Sequence, residues 1–175
     1  MTRHKTVMCF RTKLLPITLL LATIPGNAQQ PRREDPLLDA FTGSWVLNGI
    51  IAGKQTTHDV DSSWVLNHQF VQLHEVSREK TPAGLPQYEA FAFLGWDEKR
   101  KQYVAHWMDV FGGGFSSTGY ATPEQDSIHL VFKSNDGDFH TTFAYDSKTG
   151  AWRWTMDAEQ SGKLQPFARL RMIRR

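Results

Sequence analysis

Two carboxylates and two indoles are the side chains of this sequence best spaced to do chemistry. Glu75 alternates with Val71 and Leu73, which sets a carboxylate on an otherwise apolar face. Enclosed there, it would act as a general base or orient a ligand; on a face that leaves the core near the strand end, it would be solvated. Asp109 shares a face with Trp107, so an inward Asp109 needs a donor: an indole, a tyrosine hydroxyl or an arginine. Its alternative task is to cap the turn into Gly112-Gly113-Gly114. Trp154 stands with Trp152 and Met156 opposite Arg153, Thr155 and Asp157, and this apolar set is expected to turn inward. Glu75, Trp107, Asp109 and Trp154 are therefore the candidate ligand-binding residues.

The other reactive residue types form no motif. His58, His68, His74, His106, His129 and His140 are scattered over separate segments, without the close, repeated pairing of a zinc site. His58 is near Asp59 and Asp61 in sequence, yet on a strand it points away from both. Ser116 and Ser117 lack the strand-to-helix elbow of a hydrolase nucleophile. No P-loop lysine or helix follows the three-glycine run. No catalytic residue, metal or cofactor is expected from these patterns.

The elements that must position the candidates are strands. Between Phe41 and Ile173 about ten short apolar or alternating runs are separated by Gly, Pro, Asn and Asp turn signals, among them Ala52-Gly53-Lys54, Thr81 to Pro86 and Ser161-Gly162. Asn135-Asp136-Gly137, flanked by Ile128, Leu130, Phe132 and by Phe139, Thr141, Phe143, Tyr145, predicts a hairpin. A second is expected where Gln87 to Trp96 meets Tyr103 to Asp109. Along this last run both faces carry bulky groups, so alternation leaves its orientation open. The connections are too short for parallel crossovers. The reading is all-β: an antiparallel barrel or sandwich, with Leu37, Leu38 and Phe41 spaced for one helical turn at its edge.

Ahead of this domain, residues 1–28 have the layout of a secretory signal: Arg3, Lys5, Arg11 and Lys13, then Leu14 to Ile24, then Pro25-Gly26-Asn27-Ala28. The apolar stretch is 11 residues long, against roughly 20 for a membrane-spanning helix. Residues 29–36 read as a flexible linker and 37–175 as the domain. Loss of the leader leaves 147 residues with 16 basic and 18 acidic groups and no cysteine. A mildly acidic chain gives no case for nucleic-acid binding, and a cysteine-free exported domain must be held by its core. The expected location is periplasmic or secreted, without a membrane span after cleavage.

As an ordered set, the residues resemble an uncharacterised bacterial calycin-like (lipocalin-like) family, a domain of unknown function. The resemblance rests on Gly43-Ser44-Trp45, Trp64 to Glu75, Gly95-Trp96-Asp97, Tyr103 to Asp109 with Trp107, and Gly119. It implies a lipocalin-like barrel of about ten strands with a possible cavity, and it transfers no catalytic residue. Gly43 and Trp45 would serve structure at the closed end of such a barrel. The expected function is binding of a small hydrophobic or amphipathic ligand. Alternatives are a haem or isomerase activity similar to that of nitrobindin barrels, or a structural or interaction role at the cell envelope. In nitrobindins a histidine near the last strands holds the iron, and here no histidine follows His140.

The leader reading predicts that the exported protein begins at Gln29. Its intact mass should show loss of residues 1–28, whereas a full-length mass in the exported fraction contradicts cleavage.

Overall fold

The computed structural model describes residues 34–114 and 116–175. The expected leader therefore lies outside the described residues. Ten strands follow one short helix: α1 (Pro36–Phe41), β1 (Gly43–Ile51), β2 (Lys54–Val65), β3 (Phe70–Ser77), β4 (Glu89–Asp97), β5 (Gln102–Asp109), β6 (Ser117–Ala121), β7 (Ser127–Phe132), β8 (Phe139–Asp146), β9 (Ala151–Gln160) and β10 (Lys163–Arg174). Each strand pairs antiparallel with its sequence neighbours, and β1 closes the sheet onto β10 through Trp45↔Arg174 to Ile51↔Ala168. The architecture is a closed antiparallel ten-stranded barrel, as the alternating runs predict. The two predicted hairpins are β7–β8 and β4–β5.

Closure sends alternate residues of every strand into one enclosed volume. Toward the α1 end that volume is filled by large apolar groups: Trp45, Leu47, Leu73, Leu94, Leu130, Phe143, Trp152 and Met172 are all buried. The unassigned strand β5 turns Tyr103, Ala105, Trp107 and Asp109 inward, because Ala105 pairs with buried Leu94 and Asp109 with buried Ala90. Met108 and His106 face outward and are exposed.

Helix α1 plugs the filled end. Asp35 caps it, Oδ1 accepting from the Leu38 N–H at 3.1 Å while Oδ2 accepts from the Tyr103 hydroxyl at 3.0 Å. Asp35 is itself buried, and Pro36 opens the helix. The carbonyls of the last helical turn, which have no partner within the helix, are met by the barrel. Phe41 O accepts from Trp45 Nε1 at 3.0 Å and from the Ser62 hydroxyl at 2.6 Å, and Ala40 O accepts from Trp152 Nε1 at 3.4 Å. The Phe41 ring is fully buried edge-on against Phe143 and Trp152 at 5.0 Å each.

Two glycines let β1 adopt its path. Gly49 has φ +151°, and a Cβ there would lie 2.2 Å from the Arg169 carbonyl on β10. Gly43 has φ +133°, and a Cβ would strike the Arg174 guanidinium, which lies 4.3 Å over the Trp45 ring.

Because the plug is a single buried ring at its centre, Phe41→Ala should cost about 3–5 kcal/mol. Urea unfolding followed by tryptophan emission should show the lower midpoint with an unchanged slope; a loss below about 1 kcal/mol would contradict the packing role.

Candidate functional site

The other end of the barrel is built differently. Its inner wall carries small residues, Ser77, Ala90, Ala92, Thr141 and Ala168, all buried, together with buried His58 and Glu75. One row across the sheet runs Val60, Glu75, Ala90, Asp109 on strands β2 to β5. Two carboxylates thereby flank an alanine, two strand spacings apart, or about 10 Å between backbones.

Glu75 is 1% exposed and His58 is 3% exposed. His58 Nδ1 lies 2.5 Å from Glu75 Oε1. Its Nε2 lies 2.8 Å from the Thr56 hydroxyl, which in turn donates to Glu79 Oε2 at 2.9 Å, while the Thr57 N–H donates to Glu79 Oε1 at 3.0 Å. Burial alone would push the Glu79 carboxyl up. Hydrogen bonds from its own and the Thr57 backbone N–H and from the Thr56 hydroxyl, with nearby His58, instead hold it below the usual carboxylate range.

Those roles fix the protons. An ionised Glu79 only accepts, so the single hydroxyl hydrogen of Thr56 goes to it and Thr56 Oγ1 accepts from His58 Nε2–H. The remaining contact, His58 Nδ1 to Glu75 Oε1, joins the two side chains through one hydrogen. The second carboxylate oxygen, Glu75 Oε2, is buried and has no hydrogen-bond partner among the described residues.

Tyr88 joins this network to the rest of the site. Its backbone is held by a pair of bonds to Ser77, Ser77 N–H to Tyr88 O and Tyr88 N–H to Ser77 Oγ, each 2.9 Å. Its ring stacks on His58 at 5.8 Å, and its hydroxyl accepts from Trp107 Nε1 at 3.2 Å and lies 3.5 Å from Asp109 Oδ2. Trp107 meets Trp154 edge-on at 5.8 Å, and Trp154 packs on Phe143 at 4.6 Å. Five of the six indoles have a hydrogen-bond acceptor: Phe41 O, Asp39, Glu98, Tyr88 and Ala40 O for Trp45, Trp64, Trp96, Trp107 and Trp152. Trp154 is the exception. Its Nε1 is buried without a partner among the described residues.

The structure therefore brings Glu75, Trp107, Asp109 and Trp154 into one contiguous inner surface through Tyr88. Asp109 does both things considered for it: Oδ1 caps the turn by accepting from the Phe111 N–H at 3.0 Å, and Oδ2 faces Tyr88. Gly43 and Trp45 lie beside the plug, where Trp45 Nε1 donates to Phe41 O; Trp45 also pairs with Val60, the strand neighbour of Glu75. His58, Thr56, Glu79 and Tyr88 went unassigned in the sequence. On β2 both faces are polar, Thr56, His58 and Ser62 against Thr57, Asp59 and Asp61, so alternation gives no signal.

The outer wall holds two other features. Asp138, His140 and Glu159 place donor atoms within 4.8 Å of one another, but Asp138 is already paired with Lys133, and His140 Nδ1 lies 3.0 Å from His129 Nε2. A groove of about 420 Å³ runs over outward-facing Asn48, Arg153, Thr155, Arg169 and Arg171. A haem does not fit the inner wall as it stands. His58 is the one imidazole on that wall among the described residues, and both of its nitrogens are engaged.

No protein-family model matches this chain, and no curated protein matches it. The closed ten-stranded antiparallel barrel is consistent with a calycin-like fold.

Burial, with the nearby negative charges of Glu75 and Asp109, pushes the Tyr88 phenol far above its ordinary value of 10.0. Folded Tyr88 thus keeps its proton where the unfolded chain releases it, so it contributes stability below pH 10 that is lost as pH rises beyond it. Tyr88→Phe should decline less steeply in melting temperature above pH 10 than the unsubstituted protein. Parallel declines would contradict the burial of this hydroxyl.

Proposed function

We propose that this protein is an exported binding module whose open barrel end holds a small amphipathic molecule. The observation that carries the reading is the pair of buried, unpartnered polar atoms, Glu75 Oε2 and Trp154 Nε1, on one aromatic-lined wall. Each costs about 1–3 kcal/mol when desolvated and unbonded, and a ligand that supplies a donor to one and an acceptor to the other removes that cost. The neighbouring inward side chains Ala90, Ala92 and Ser77 are small, and Trp107, Trp154 and Met156 make the wall around them apolar. The absence of a free imidazole nitrogen on His58 weighs against a nitrobindin-like role. The geometry favours recognition over turnover, because both nitrogens of His58 are already engaged.

Native mass spectrometry of the gently purified protein, compared with its denatured mass, should reveal a discrete extra mass. Trp154→Phe should weaken its retention and diminish the change in tryptophan emission when the compound is added back. A protein that carries no extra mass, and whose emission is unmoved by a panel of amphipathic compounds, would overturn the reading.

A further inference from the structure

The chemistry of the open end also selects the head group of the occupant. Three observations converge. Glu75 Oε1 is taken up by His58 Nδ1 at 2.5 Å, and Glu75 Oε2 is buried with no hydrogen-bond partner among the described residues, so the position left open on this side chain is an acceptor. Asp109 sits across Ala90 from Glu75 on the same inner row, and Glu79 closes the network on the far side of His58. Among the described residues no lysine or arginine is buried, so nothing on the inner wall offsets these acids other than His58 itself. The faces of Tyr88, Trp107 and Trp154 complete the surroundings, and such faces attract cations. An anionic head group would meet like charge, with no donor other than the Trp154 indole.

Resting on the binding role proposed above, we infer that the occupant is a protonated organic amine that also carries a hydroxyl, ether or carbonyl oxygen. Its ammonium donates to Glu75 Oε2 and lies between the Glu75 and Asp109 carboxylates. Its oxygen accepts from Trp154 Nε1–H. Its carbon chain covers Trp107 and Met156. This arrangement gives partners to both buried polar atoms at once and places positive charge where the wall is acidic. A fatty acid, the usual expectation for an apolar barrel, does neither.

A matched series separates head-group class from mere hydrophobicity: 8-amino-1-octanol, 1,8-octanediol and 8-hydroxyoctanoate, titrated into the mature protein by calorimetry at neutral pH. The amino alcohol should bind at least about tenfold more tightly than the diol, as expected for a hydrogen bond to a charged group, and the hydroxy acid should bind most weakly. Glu75→Gln should bring the amino alcohol down to the level of the diol, and Asp109→Asn should narrow the gap. If Glu75→Gln loses its cooperative melt, the ranking of the three probes on the unsubstituted protein decides alone. Equal or tighter binding of the diol or the hydroxy acid overturns the amine assignment and leaves the binding role standing, as does a retained anionic or neutral mass. No binding by any of the three at millimolar concentration, with no retained mass, overturns both.

Discussion

Closure of the sheet through the β1–β10 ladder is the constraint on which the rest of this structure depends. Once those edges pair, every strand contributes alternate residues to a single enclosed space, and each polar group delivered there must find a partner inside it. Gly49 makes the closure possible by letting β1 pass within touching distance of the Arg169 carbonyl. The two ends of the barrel then answer the constraint in opposite ways. At the α1 end the indoles of Trp45 and Trp152 and the Ser62 hydroxyl meet helix carbonyls that would otherwise be orphaned. Beside the helix, His68 Nε2 is the polar atom left without a hydrogen bond among the described residues.

At the open end the accounting does not close within the described residues. His58 is used completely, with one nitrogen toward Thr56 and Glu79 and the other toward Glu75. That full use holds the Glu75 carboxylate in place with one oxygen bonded and the other bare. The contact chain from His58 through Tyr88 and Trp107 reaches the one indole that also lacks an acceptor. Two bare polar atoms, one acceptor and one donor, on a wall of small and aromatic side chains are the physical content of the binding proposal.

Much of the framework was legible in the sequence. The period-two runs and their turn residues predicted about ten antiparallel strands, and the inward sets Trp152, Trp154, Met156 and Ala168, Leu170, Met172 are those seen. Strand β5 was not decidable because Val104, His106 and Met108 are as bulky as the residues opposite them; its register with Leu94 and Ala90, a long-range fact, settled the matter. The same limit hid half the site. His58 lies on a strand polar on both faces, and Tyr88 lies just before β4, held by Ser77 rather than by a strand pattern of its own. Glu75 could be placed on an apolar face by alternation, but its burial follows from the neighbours that closure provides.

The most direct test of the account is the indole N–H resonance of Trp154 in a ¹⁵N-labelled sample, assigned by its loss in Trp154→Phe, as the compound retained by the protein is titrated in. The account predicts that this resonance moves far more than those of Trp45 and Trp152, whose indoles are already bonded at the plugged end. A Trp154 resonance that stays fixed while others shift would place the ligand elsewhere and contradict the central claim.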